Sequence, residues 1–286
     1  MEKKILVIGG TGMLGKPVAA ALKSNGFHVL IFTRTPDEAR IKMPGNFEFV
    51  KGDISNMESL DQALNGCYGV HINLQGGPSM KSFEKTEHQG TRNILEAAIR
   101  QGVERVTFIS GASVSEKNSW FPVIRAKYKA EEAIKSSGLN YTIFRPSWFF
   151  ESLPLFVRND KAMMLGNNQN PYHWLAAKDY AAMVAVAYLS EEVLNKTLVV
   201  FGPEAYTNNE ALSRYCEIKH PGIKKVRLSA GAIGFIGLLS FNPALRFLGR
   251  FTKYFEGISE SEDKYGPEVT ILRTTTNLQN WIAPNH

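Results

Sequence analysis

A chain of 286 residues with 44% hydrophobic and 21% charged content is long enough to bury a full core and has the composition of an ordinary globular protein. Its 33 basic and 27 acidic residues give a formal net charge of +6 without a long basic run, so no nucleic-acid partner is expected. The two cysteines, Cys67 and Cys216, are far apart; this excludes a disulfide framework or a cysteine metal site and suits a reducing compartment.

The first element is a strand, Ile5 to Ile8, which runs into a loop with glycine at 9, 10, 12 and 15. Four apolar residues are too few for a signal-peptide core, and no uninterrupted apolar segment approaches the ~20 residues of a bilayer span. A cytoplasmic location is the expectation. Further strands are predicted at 28–33, 47–51, 68–73, 105–109 and 141–145. Helical patterns lie between them at 14–24, 57–64, 85–100 and 124–135. In the third helix Ile94, Leu95, Ala97, Ala98 and Ile99 supply the buried stripe and Gly102 stops it. Strand and helix in alternation predict right-handed crossovers and an α/β fold, a doubly wound Rossmann-type parallel sheet.

After residue 146 the rhythm breaks. Loop and short helix are expected to 171, then a helix at 178–189 and a strand at 197–201. Thr207 and Glu210 form a capping-box pattern, a basic strand follows at 224–228, and residues 230–248 are mostly apolar. The expected division is a dinucleotide-binding core of residues 1–150, with 172–202 returning to its sheet. A smaller, mainly helical lobe would comprise 203–286 together with 151–171.

The residues Gly10-Thr11-Gly12-Met13-Leu14-Gly15 match G-x-G-x-x-G, and Gly9 adds an overlapping spacing. Such glycines permit a tight turn and close backbone approach to a pyrophosphate, and the helix that follows offers free N–H groups to the anion. The context, after a first strand and into a first helix, is the one this mechanism requires. An NAD site carries an acidic residue about 20 positions on, to accept from the ribose 2′-hydroxyl. Here that window holds Arg34, whose guanidinium suits a 2′-phosphate, so NADP(H) is preferred over NAD(H); Asp37 nearby is a candidate ribose partner instead. After the third strand, Asp53 in Gly52-Asp53-Ile54 can accept from an adenine amino group or serve as a turn residue, with Ser55 placed to cap the next helix. Leu74, Gln75, Gly76, Gly77 and Pro78 form a loop at the carboxyl edge of the sheet, where ligands bind in such folds.

Several stretches together resemble the short-chain dehydrogenase/reductase superfamily, in its atypical, NmrA-like branch. They are GGTGMLG, GDI at 52–54, the helix from His88 to Leu95, VTFISGAS at 106–113, residues 127–146, AAKDYA at 176–181 and the late 274–281 segment. The resemblance implies that Gly9 to Gly15, Asp53, Ile54, Leu74, Gln75 and Pro146 border the cofactor. In active members a serine after the fifth strand and a Tyr-x-x-x-Lys pair carry the reaction. By resemblance Ser110 or Ser113 occupies the serine region and Lys127 the lysine position, holding the nicotinamide ribose. Four residues before Lys127 stands Val123, and Tyr128 follows the lysine, so the tyrosine is missing.

Trp148 and Phe149 are read as an apolar wall for a flat substrate or as packing between lobes, and Asp179, near His173 and Trp174, as a structural link. For residues 230–254, rich in glycine, leucine and phenylalanine with Arg246, Arg250 and Lys253 interleaved, three readings stand: a packed lobe, an apolar substrate pocket, or an interfacial segment in peripheral contact with a membrane. The expected function is an NADPH-dependent reductase of a small apolar acceptor such as a quinone or enone. The alternative is a non-catalytic NADP(H)-binding regulator, redox sensor or assembly factor with a protein partner.

Overall fold

The computed structural model describes residues 2–43, 45–77, 79–260, 265 and 269–283; Pro78 of the predicted carboxyl-edge loop lies outside them. The first part of the chain alternates as β1 (Lys4–Ile8), α1 (Gly15–Ser24), β2 (His28–Thr33), α2 (Pro36–Lys42), β3 (Glu48–Lys51), α3 (Met57–Leu64), β4 (Gly69–Ile72), α4 (Met80–Phe83), a π-helical turn (Glu84–Gln89), α5 (Gly90–Arg100), β5 (Arg105–Ile109), α6 (Pro122–Lys135) and β6 (Asn140–Pro146). A 3₁₀ segment (Phe150–Phe156) then leads through β7 (Val157–Arg158), β8 (Lys161–Leu165) and β9 (Tyr172–Trp174) to α7 (Ala177–Ala187) and β10 (Lys196–Phe201). The chain continues with β11 (Glu204–Tyr206), α8 (Asn208–Lys219), β12 (Lys224–Leu228), α9 (Ala230–Leu239), α10 (Pro243–Glu256), β13 (Thr270–Arg273) and α11 (Leu278–Ile282).

Eight strands form one parallel sheet in the order β13-β10-β6-β5-β4-β1-β2-β3. The doubly wound α/β reading therefore holds. Its strands read as apolar runs because both faces are covered. Along β1, Ile5 and Val7 face the cluster under α1 and α7. Leu6 and Ile8 face the opposite cluster, which includes Leu60 of α3, Ile94 of α5 and Ile134 of α6. The order reverses between β1 and β4, and this crevice at the carboxyl edge is where open α/β sheets receive ligands.

The structure departs from the sequence reading in several places; residues 161–165 form a strand, and 172–174 pair with 204–206 rather than with the main sheet. The helix expected at 85–100 is broken by the π turn before Gly90. Asn56, not Ser55, caps α3, taking the Ser59 N–H at 2.9 Å. Residues 36–42 form a helix where none was read. Residues 270–273, assigned from sequence to the C-terminal lobe, instead pair with β10 as the edge strand of the main sheet. The lobe is helix-rich, and two small sheets run through it, β12-β8-β7 and β11-β9. Among the described residues no helix is long and apolar enough to cross a membrane.

Candidate functional site

The glycine loop is shaped by contacts that leave no room for side chains. Gly9 has φ +78°, and a Cβ there would run into the Asn73 carbonyl; a Cβ at Gly15 would run into that of Gly9. The Gly12 N–H donates to the Gly9 carbonyl at 3.0 Å, closing the turn. Leu14 precedes α1 without any side-chain cap, and the first turn carries no acidic residue. A helix start with bare glycine backbone and no side-chain cap is a fit for a pyrophosphate. Thr11 is half-buried and Met13 exposed along the rim of this loop.

At the far end of the crevice Arg34 lies exposed after β2. Asp53 accepts from the Ser55 N–H at 2.8 Å and hydroxyl at 2.7 Å. These two bonds, with Arg34 and Lys85 contributing from farther off, hold its carboxyl below the usual carboxylate range. Asp37 is taken up on the surface by Arg40 at 2.7 Å. Ile54 and Leu74 pack against Gly90, where a Cβ would lie 2.6 and 3.3 Å from their Cδ1 atoms. The Ile54 carbonyl accepts from Asn93 at 2.9 Å, which ties the π turn and α5 to the nucleotide side of the sheet. Gln75 is exposed on the adjoining loop.

Beyond the ends of β4 and β5 sits Lys127, on α6. Its ammonium lies 2.9 Å from Glu87 Oε2 and donates to the Ile109 carbonyl at 3.4 Å. The other carboxylate oxygen of Glu87 accepts the Gly76 N–H at 3.2 Å. Glu87 is buried, 1% exposed, and the π turn brings it to α6. A buried carboxylate demands a counter-charge, so the Glu87–Lys127 pair fixes the ammonium at the carboxyl edge. Glu87 is the site residue that sequence reasoning missed. Its signal was spacing: residues 87, 91, 94 and 98 share one helix face, which makes Glu87 a charge on a buried stripe.

The predicted serine differs from expectation. Ser110 is buried and its hydroxyl donates to Glu131, whose carboxylate is gripped by Arg145 through Nε at 3.0 Å and Nη2 at 2.5 Å. The Glu131 pairing holds the Arg145 guanidinium above its ordinary pKa, although burial works against the charge. With its proton committed to Glu131, Ser110 is fitted to join β5, α6 and β6 rather than to donate to a substrate. Ser113 carries the adjoining turn; its carbonyl accepts from Asn118 at 2.8 Å. The Pro146 carbonyl accepts the Ala112 N–H at 2.9 Å, so it too braces the exits of β5 and β6.

Val123 lies one helical turn before Lys127, buried among Phe121, Ile124 and Tyr254, and supplies no proton. The two aromatics after β6 part company. Phe149 packs edge-on to Tyr180 in the core, whereas Trp148 lies under α10 against Phe251 and Phe255 at 6.1 and 5.0 Å. Trp148, Leu153, Met163, Leu212, Phe251 and Phe255 line an apolar cavity between the small sheet, α8 and α10. Asp179 accepts from the Thr276 N–H and hydroxyl at 3.0 and 2.9 Å, a link between α7 and the end of the chain. His173 stacks on Phe201 at 4.3 Å and meets Glu260.

A family model described as NAD(P)H-binding matches residues 9–155, more than half of the chain. The chain belongs to the NAD(P)H-binding family. This bears out the resemblance to the atypical short-chain dehydrogenases/reductases and makes a pyridine nucleotide the ligand of the family's fold. The photosystem II assembly factor Ycf39 of Cyanophora paradoxa is 27% identical over 218 residues, covering 74% of this chain and 67% of that protein. The chloroplastic divinyl chlorophyllide a 8-vinyl-reductase of Cucumis sativus is 29% identical over 286 residues, covering 88% and 67%. Among solved structures, an NADPH-dependent quinone oxidoreductase from Escherichia coli in complex with NADPH superposes with a TM-score of 0.71 at 19% identity, over 97% of this chain and 98% of that one. At that identity the likeness bears on the fold.

Proposed function

We propose that this NAD(P)H-binding protein is an NADPH-dependent reductase of a small apolar acceptor such as a quinone or enone. The observation that carries the reading is Lys127, held by buried Glu87 at the carboxyl edge of β5 in a chain whose C-terminal part adds an aromatic wall of Trp148, Phe251 and Phe255. Residues Gly9 to Gly15 and the start of α1 would hold the pyrophosphate. Arg34 would take the 2′-phosphate, and the Lys127 ammonium the nicotinamide ribose hydroxyls. When bound, the reduced nicotinamide supplies a hydride. The aromatic wall excludes water from a flat apolar molecule and orients it by its faces. Because Val123 offers no acid, the acceptor must be one whose reduced oxygen takes its proton from solvent, as a quinone or enone can. That a vinyl reductase and a quinone oxidoreductase are among the similar proteins supports this class.

A second reading rests on the same Val123 and on the similarity to an assembly factor: a nucleotide-binding regulator whose bound NADP(H) signals to a protein partner. NADPH oxidation measured across a panel of quinones and enones separates the two. The reductase reading expects turnover with at least one acceptor that falls on Lys127→Ala. Tight NADPH binding with no turnover across the panel sinks it and leaves the regulator.

A further inference from the structure

The α9–α10 hairpin presents five exposed large apolar side chains within seven residues: Phe235, Ile236, Leu238, Leu239 and Phe241. Packing explains why they face outward. The two helices meet through glycine: a Cβ at Gly249 would lie 2.7 Å from Gly234 N, and one at Gly237 would lie 2.6 Å from Arg246 N. With the contact face given to glycine, the bulky residues of α9 turn to the outside. The hairpin is nonetheless well built. Ser229 and Asn242 cap its two helices, and Arg246 Nε donates to the Gly237 carbonyl at 3.0 Å.

At the turn stands Phe241, with φ +51° and 83% exposure. Among the described residues the other non-glycine residues with positive φ are Asn159, Asp160 and Asn195, the types that tolerate it. A phenylalanine in that conformation is costly locally and buries almost nothing within the chain. Along the hairpin the charge has one sign, although Lys225 of β12 is paired with Glu217 at 3.2 Å. No acidic residue occurs between Ser229 and Phe255, while Arg246, Arg250 and Lys253 do, and Lys224, Lys225 and Arg227 lead in along β12.

We propose that this hairpin seats the protein on the surface of an anionic lipid bilayer. The outer face of α9 and Phe241 sink into the boundary between headgroups and acyl chains, and Arg250 and Lys253 meet lipid phosphates. The charge pattern selects this occupant over a second copy of the chain, because a two-fold contact through the same face sets these cations against one another. The proposal is independent of the reductase reading.

Co-sedimentation of the full chain with vesicles tests it, comparing equal parts phosphatidylglycerol and phosphatidylcholine with phosphatidylcholine alone. Binding to the anionic vesicles, weakened by salt, is the expected result. Phe241→Asn keeps the net charge and suits the positive φ, so its thermal midpoint is expected to stay or rise while vesicle affinity falls roughly tenfold. Arg250→Gln is expected to lower affinity for the anionic vesicles about fivefold. Failure to bind anionic vesicles overturns the proposal, and so does a Phe241→Asn variant that binds as well as the parent, since attraction then needs no insertion. A dimer in sedimentation equilibrium that Phe241→Asn dissociates, without vesicle binding, assigns the face to self-association instead.

Discussion

Lys127 and Glu87 set each other's behaviour, and their variants separate structure from cofactor binding. Removing the ammonium alone leaves a carboxylate that is 1% exposed without its counter-charge, a loss of about 3 kcal/mol for buried pairs. Lys127→Ala should therefore lower both the urea midpoint and any NADPH-dependent turnover. Adding Glu87→Gln removes the stranded charge while keeping an acceptor for the Gly76 N–H, so the double variant should regain most of the stability and none of the turnover. Stability recovering together with activity would make Lys127 a structural lysine. Arg34 has no such structural duty, being exposed after β2. Arg34→Ala is expected to weaken NADPH binding about tenfold or more, from the loss of a charge-assisted phosphate contact, and NADH hardly at all. Equal losses, measured by titration of nucleotide fluorescence, would contradict the NADP(H) preference.

At the scale of elements, α6 lays Val123, Lys127 and Glu131 one turn apart along one face. Two of the three are charged and served by separate partners, Lys127 by the π turn and Glu131 by Ser110 and Arg145. The two pairs should be separable. Glu131→Gln strands the Arg145 guanidinium and is expected to cost about 3 kcal/mol in urea unfolding while leaving nucleotide affinity within about twofold; a large loss of affinity would show that the brace reaches the cofactor. The strands of the core were legible because parallel strands buried on both faces are continuous apolar runs, as in Ile5 to Ile8. The glycine loop was legible because steric exclusion leaves its mark in residue type. The π turn was not, since one extra residue per turn alters no composition. Residues 270–273 were not either, because Thr-Ile-Leu-Arg is too short and too polar to declare a strand, and its partner β10 lies far back in the chain. Ser110 follows β5, but its bond to Glu131 depends on contacts that sequence does not state.

Across the whole molecule, the sheet that positions the site also holds a buried titratable group. His71 lies in the middle of β4, fully buried, with Nδ1 2.8 Å from the Thr107 hydroxyl, which in turn meets the Tyr188 hydroxyl at 2.9 Å. Its Nε2 is buried without a partner. Desolvation pushes the imidazole down to about 3 from 6.5. The unfolded chain therefore binds a proton between these values where the native chain does not, and stability falls as pH drops through that window. At about 1.4 kcal/mol per pH unit, the loss from this one group between neutral pH and pH 4.5 is about 3 kcal/mol, a substantial part of the 5–15 kcal/mol typical of a domain. His71→Asn keeps a polar atom for Thr107 and removes the titration, so whatever it costs at neutral pH, its stability should decline less on acidification. Urea midpoints of both proteins at pH 7 and 4.5 check this. An equal decline in the two would assign acid sensitivity to other groups and leave His71 as a silent member of the core.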